Sequence, residues 1–593
     1  MTDSKKVWKG IRQLVNLKSR SGSTPTKLLV EDVEIYDPKS MADAFNNFFA
    51  NIGYNLTKKI PSVNKSPLQY LTVPPKDSFF LFPTSTAEVE NEITGLNANK
   101  STGPYSIPVA ILKATKHVIS APLEIIFNAS FSTGIVPDLF KIAKVTPVFK
   151  KGGQTSLNNY RPISVLSIFN KLLEKLMHKR ILQFLEKKKV IYCKQFGFRA
   201  NHSTDYAILS IIDLIQHAID CQEFSCGIFL DFSKAFDTVN HNILIEKLDY
   251  YGIRGVTKDW FTSYLTNRYQ YVSLGQTESE LLPVSCGVPQ GSVLGPLLFL
   301  IYINDFSNCS EILDFHLFAD DANLFYKHKN LKVLESKVNN ELVNIHTWLS
   351  ANKLSLNIDK SNFIIFHPPQ KKLPFHVTLS LNGINLNQEY SIKYLGIVID
   401  SHLSWKSQVS YIAIKIKRNI GILSKLRYYV NLDILVKLYY ALIYPFLIYG
   451  LISWGNTYSS TTQPLVILQK RAMRMITFSK YHEHSSPIFK HLNIVKLPDL
   501  VFLNIAVFMH KFHNRRLPSV FDTFFFQVNK KHNYNTRSAS SLSYTLPKVR
   551  TNYGIFNLRF KGPKVWNSIS DNLKTLSISN FKESLKYDLV KDY

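Results

Sequence analysis

Residues 226–237 read CGIFLDFSKAFD, and residues 316–327 read HLFADDANLFYK. In the first stretch, residues 226–230 form a mostly apolar run of strand length, with Asp231 at its end and a helix expected soon after. A carboxylate at the end of a buried strand is costly unless a cation or a donor meets it. Capping of the following helix would meet that need equally well, so this stretch alone leaves both readings open. In the second stretch, apolar residues flank Asp320-Asp321 on both sides, as in a tight hairpin. Adjacent carboxylates repel each other, and apolar surroundings strengthen the repulsion. Asn-Gly or Asp-Gly would make such a turn more cheaply. Two aspartates are instead good oxygen donors for Mg²⁺, although a solvated acidic turn would also use them.

The pair says more than either part. A strand-end acid, followed roughly 90 residues later by an acidic hairpin, can bring three carboxylates onto adjacent strands. Two divalent ions about 4 Å apart could then be shared. One would activate a primer 3′-hydroxyl, and the other would hold a triphosphate and neutralise the leaving pyrophosphate. Phosphoryl transfer depends on such positioning and charge neutralisation more than on covalent chemistry.

Outward from these motifs, short apolar strands alternate with amphipathic helices from about Val145 to about Asp400. Leu334, Val338, Leu342, Ile345 and Leu349 form one helical stripe and are assigned to core. Upstream, an amphipathic helix is expected over residues 40–60, then a Pro-rich linker over 61–83. Ser85-x-x-Glu88 reads as a capping box opening the next helix. Residues 405–480 read as helical and basic, and 481–593 as a further basic segment with strand-like runs near 557–560.

The bulk numbers agree with a polyanion binder. The 593 residues are too many for one compact core. Lys plus Arg number 71 against 43 acids, a net charge of +28 that self-repels unless a nucleic acid or acidic surface compensates. An aromatic content of 13% tilts the choice toward nucleic acid, because bases stack on rings. The five cysteines are scattered and form no C-x₂-C pair, which excludes a disulfide scaffold and a zinc knuckle. No secretory signal and no apolar run of about 20 residues is present, so an intracellular, soluble protein without a membrane contact is expected. Lys187-Lys188-Lys189 is too short to assign the nucleus, which stays plausible.

With these motifs in order, the chain resembles the reverse transcriptases of non-LTR, LINE-like, jockey-type retrotransposons over roughly residues 85–480. TPVFKKGG (146–153) and NNYRPISVLS (158–167) are similar to the fingers, which implies that Lys150 or Lys151 and Arg161 grip the incoming triphosphate. QFGFR (195–199) is a second fingers signature, in which Arg199 touches template or braces the fold. LDFSKAFD resembles the first palm motif. It implies Asp231 and the carbonyl of Phe232 as metal ligands, and Phe236 as the ring that crowds a 2′-hydroxyl. Asp237 is read as a helix cap. CGVPQGSVLGPLLF (286–299) resembles the loop under the nascent base pair, with Pro289, Gln290 and Gly291 in the turn. FADD (318–321) supplies Asp320 as the shared metal ligand and Asp321 as its support. LSLNIDKSNFIIF (354–366) implies Lys360 as the proton donor to pyrophosphate, and YLGIVID (394–400) implies a primer grip at Tyr394, Leu395 and Gly396.

The resemblance implies an α+β right-hand polymerase with fingers, a palm built on an antiparallel sheet and a helical thumb, plus a basic C-terminal segment. Expected boundaries are a lead-in and linker over 1–84, fingers and palm over 85–400, thumb over 401–480 and the basic region over 481–593. The implied activity is RNA-directed DNA polymerisation, with two Mg²⁺ ions (Mn²⁺ as a substitute), an RNA template, a DNA primer and deoxynucleoside triphosphates. An upstream endonuclease has too little room in the first 84 residues, and Tyr105 stands where the family usually has Asp. The competing reading is a catalytically silent nucleic-acid binder derived from such an element. A maturase-like enzyme fits less well, given FADD and WGNT (454–457).

Overall fold

The computed structural model describes residues 25–61, 63–72, 74–99, 101–528 and 542–593, together with Gly10. Parts of the lead-in and linker, residue 100 and part of the basic C-terminal segment lie outside the described residues. Nine strands organise the polymerase-like half: β1 (Ile142–Phe149), β2 (Tyr160–Leu166), β3 (Phe224–Asp231), β4 (Arg268–Leu274), β5 (Asp314–Phe318), β6 (Asp321–His328), β7 (Asn362–Phe366), β8 (Ser391–Tyr394) and β9 (Ile397–Asp400).

The central sheet runs β7-β3-β6-β5 with every neighbour antiparallel, and short strand Asn387–Gln388 adds a parallel edge to β7. β3 is buried along its whole length until Asp231. It lacks polar alternation because both of its faces are covered. Cys226, Ile228 and Leu230 enter one core with the stripe helix Leu331–Ala351, while Phe229 enters a second core with the Thr204–Asp220 helix and the Lys406–Leu426 helix. All five stripe residues are buried, as expected of core.

A second sheet, β2-β1-β4, carries the Lys150 and Arg161 region, with β1 and β4 parallel. The N-terminal helix Pro38–Lys58, capped by Asp37, lays Phe45 and Phe49 against Tyr160 of this sheet. Ser85 caps helix Thr86–Thr94 through the Glu88 N–H. The reciprocal half of the capping box does not form. Glu88 pairs instead with buried Arg180 at 2.7 Å and accepts from the Thr84 hydroxyl, because a buried guanidinium has the stronger claim on a carboxylate.

The C-terminal region folds back onto the rest. Helix Leu497–His513 shares a core with Leu558–Asn567, Ile578–Lys591 and with Ala207 and Leu209 of the Thr204–Asp220 helix. Residues 557–560 are not strand-like: Asn557 caps the helix Leu558–Asn567. The alternation Leu-Arg-Phe-Lys suggested a strand, but burial of Leu558, Gly562, Pro563, Val565 and Trp566 selects the helical face. The mixture of helical layers and antiparallel sheet is the α+β architecture expected of the polymerase hand. Among the described residues no helix is long and apolar enough to cross a membrane.

Candidate active site

The register of the central sheet decides where the acids go. Asp321 of β6 stands directly opposite Asp231 of β3, so the two share one edge of adjacent strands. Asp320 occupies the two-residue turn between β5 and β6. The turn is Ala319-Asp320 rather than Asp320-Asp321, since Asp321 already belongs to β6 and pairs with Phe318. Ala319 adopts φ 56°, unfavourable for a residue with a Cβ. Gln195 offsets that strain, its Oε1 accepting from the N–H of Ala319 and of Gly197 at 2.9 Å each. Phe196 N and Lys194 O complete the hold through Leu317. A Cβ on Gly197 would lie 2.3 Å from Ala319 N, so this loop can approach the turn only with glycine there.

Charge at the edge is only partly compensated. Burial, and then the neighbouring Asp320 and Asp231, push the Asp321 carboxyl up to about 6. Burial and Asp231 also raise Asp320, against its own N–H and the cations Arg161 and Lys150. Both carboxylates still reach solvent at the mouth of the cleft. Asp231 has one cation near it, the Lys360 ammonium at 3.5 Å from Oδ2. Lys150 feels Asp231 favourably, but burial and the cations Arg161, Lys360 and Lys151 lower its pKa. The fingers cations and the palm acids therefore face the same space.

A family model for reverse transcriptase (RNA-dependent DNA polymerase) matches residues 148–399, the stretch that holds the central sheet and all three acids. Those residues are a reverse transcriptase domain. The RNA-directed DNA polymerase from mobile element jockey of Drosophila melanogaster is 28% identical over 472 residues, covering 76% of this chain and 50% of that protein. The probable RNA-directed DNA polymerase from transposon BS of the same organism is 29% identical, covering 72% and 48%. The probable enzyme of transposon X-element is 27% identical, covering 73% and 48%. The non-LTR resemblance thus holds over most of the chain, and the chain spans about half the length of these relatives. Among solved structures, telomerase from Candida albicans covers 60% of this chain and 66% of its own at 13% identity and a TM-score of 0.36, too remote to build on.

The remaining motif residues of the reverse transcriptase domain fall around the same edge. Lys360 closes a short turn whose Asn357 N–H donates to Asp231 O at 2.8 Å and whose Ser361 hydroxyl accepts from Asp231 N at 3.2 Å. Phe232 is buried against Phe306, which fixes the backbone after Asp231. Phe236 is half-buried, stacked on Phe299 with centroids 4.6 Å apart and edge-on to Phe198. Lys150 N donates to Asn159 O at the mouth of the β1-β2 hairpin, where Lys151 and Arg161 are exposed. The tip of the β8-β9 hairpin is Leu395-Gly396, both at positive φ. Tyr394 is buried beside Asp321, and the Tyr449 hydroxyl donates to Leu395 O. Arg199 spends its guanidinium on the carbonyls of Tyr192 and Gln195, both at 3.2 Å, so it braces the loop.

Asp237 is not a helix cap. Asn240 caps the next helix by accepting from Ile243 N, which leaves Asp237 three residues short of the helix end. Its carboxyl is buried and accepts from Gln290 Nε2 at 2.8 Å, while Oδ2 has no partner among the described residues. Burial pushes it up to about 6. Gln290 in turn offers its carbonyl to Ser164 N at 2.8 Å, and a Cβ on Gly291 would meet Ser164 O at 2.5 Å. Gln290 thus ties the Pro289-Gln290-Gly291 turn to Asp237 through its side chain and to β2 through its backbone.

Among the described residues no group of three or more His, Cys, Asp or Glu side chains is gathered closely enough to cage a metal ion unaided. Mg²⁺ does not need such a cage, because it keeps waters and takes substrate phosphate oxygens. The donor set fits that ion: hard carboxylate oxygens on one edge, two of them with pKa raised by burial and by their acidic neighbours.

Proposed function

We propose that this chain is the RNA-directed DNA polymerase of a non-LTR retrotransposon, adding deoxynucleotides to a primer 3′-hydroxyl along an RNA template. The pairing of Asp321 with Asp231 across β6 and β3, with Asp320 in the adjoining turn, carries the reading. In this scheme Asp231, Asp320 and Asp321, with the Phe232 carbonyl, would hold two Mg²⁺ ions, for which Mn²⁺ could substitute. Such ions supply activation of the primer hydroxyl and neutralisation of the triphosphate.

The chain's own groups do the rest. Lys150, Lys151 and Arg161 draw the triphosphate into the cleft, Arg161 by its planar fork. Phe236, held by Phe299, presents a ring edge that leaves no room for a 2′-hydroxyl. Gln290 and Gly291 support the nascent base pair, their turn fixed by Asp237. Tyr394, Leu395 and Gly396 aim the primer end. Lys360, 3.5 Å from Asp231 Oδ2, stands at the edge of the acids, where its ammonium would donate a proton to pyrophosphate. The boundaries we propose are 85–400 for fingers and palm and 401–480 for a thumb riding the duplex, with 481–593 packed behind as a support.

The test is primer extension on an RNA template with deoxynucleotides and Mg²⁺. Wild type should extend, and Asp320→Ala should not. Extension that survives Asp320→Ala would remove the metal assignment, and no extension by the wild type would leave only a nucleic-acid binder.

A further inference from the structure

The far end of the central sheet holds a cavity that the polymerase chemistry does not use. It has a volume of about 660 Å³ and lies between the end of the Thr204–Asp220 helix, the end of β6 and two short stretches, 524–526 and 545–550. β3 runs from Phe224 at this end to Asp231 at the other, so about 23 Å of strand separates the cavity from the acids. A nucleotide engaged here is not in the catalytic cleft.

The lining is cationic after its internal pairs are counted. Asp220 is satisfied by the backbone N–H groups of Arg550 and Thr551 and by the Thr551 hydroxyl. Glu223 lies 3.2 Å from Lys327, and Arg559 holds Asp213 through two nitrogens at 2.9 and 3.0 Å. Lys329, Lys548 and the Arg550 guanidinium are exposed, and among the described residues no carboxylate pairs with any of the three. Arg559 lies 3.9 Å over the ring of Phe524, and Phe526 beside it is 63% exposed. An apolar ring left in water among three unpaired cations is a poor arrangement for a solvated face. It suits a ligand that is anionic along its backbone and flat along its side.

The geometry points to a binding site for single-stranded RNA behind the palm, with phosphates on Lys329, Lys548 and Arg550 and a base stacked on Phe526. The volume accommodates a nucleotide or two. An acidic peptide would use the cations but has no need of the ring, so polynucleotide is the better match. The site holds RNA whether or not the distant acids carry out polymerisation.

The test uses the full chain with its cleft saturated by a primer–template duplex. A labelled single-stranded RNA oligonucleotide is titrated by fluorescence anisotropy across a salt series, and thermal melts confirm that each variant folds. Combined Lys329→Glu, Lys548→Glu and Arg550→Glu should weaken binding at least about tenfold and flatten the log–log salt slope by about 2, the value for three phosphates on a single strand. Phe526→Ala should weaken binding about fivefold or more with the salt slope unchanged, the signature of lost stacking. A triple variant that binds as wild type does overturns the site. So does a Phe526→Ala variant of wild-type affinity combined with equal displacement of the RNA by polyglutamate, which would make this a peptide-binding surface.

Discussion

The two ends of the central sheet treat aspartate in opposite ways. At one end Asp231, Asp320 and Asp321 crowd together, and two of them hold their protons more tightly than free carboxyls do. At the other end Asp213 accepts three bonds from Arg559, and Asp220 accepts from the Arg550 and Thr551 backbone. The first set is short of positive charge and the second is supplied with it. The acids at the far end are held by donors that the fold supplies, whereas those of the cleft edge raise one another's pKa.

Four substitutions probe that contrast, beginning with the largest effect. Asp320→Ala should remove extension activity, by about a thousandfold or more if the ion-holding role is right, while leaving the melting temperature unchanged or slightly higher. A parallel fall in stability would erase the distinction between the two ends. Asp213→Ala should do the reverse, lowering stability by roughly 2 kcal/mol by chemical denaturation, because Arg559 is left partly buried and unpaired. The rate per folded molecule should stay near wild type.

Gln195→Ala should slow extension about tenfold through a misplaced Asp320, since it frees the strained Ala319 turn. A glutamate at 195 keeps the accepting oxygen and should recover most of the loss, which a merely destabilising role would not predict.

The smallest effect is a pH signature of Asp321. A carboxyl whose pKa is raised on folding contributes its stability below the unfolded value near 3.8 and loses it as pH climbs through about 6. In metal-free protein Asp321→Asn should therefore be the more stable form at pH 8, with the difference vanishing near pH 4. Water reaches this carboxylate and screens it, so the gain should be about 1 kcal/mol or less by thermal melt. Mg²⁺ should shrink the difference at pH 8. A variant less stable than wild type at pH 8 would mean that Asp321 is already satisfied in the folded protein.

Much of this site is written locally, and that part was readable. An apolar run ending in Asp231 and an acidic doublet between apolar flanks state their own geometry, whereas the hairpin tip at Leu395-Gly396 was legible only through the family resemblance. The strand register that puts Asp321 opposite Asp231 then follows from pairing two buried strands. What could not be read is the work of side chains reaching across the fold. Gln195 finds Ala319 from 124 residues away, and Asp237 finds Gln290 from 53 away. Neither residue type in its local setting announces such a partner. Asp237 even sits where a helix cap would be plausible, three residues before the true cap at Asn240. The C-terminal helix Leu558–Asn567 escaped for a related reason. Gly562 and Pro563 weaken its local helical signal, and only packing against Met509 and Phe525 gives it a face.

The helix Pro38–Lys58 precedes the matched reverse transcriptase stretch by about 90 residues, yet it leans on the innermost loop. A methyl at Gly53 would lie 1.9 Å from Asp237 O and 2.5 Å from Cys286 Sγ, so helix and loop touch without clearance. A fragment cut to residues 148–399 would therefore lack the helix that packs against Asp237 and Cys286. Under the proposed function, a piece that begins after residue 58 should extend a primer more slowly than one that keeps Pro38–Lys58.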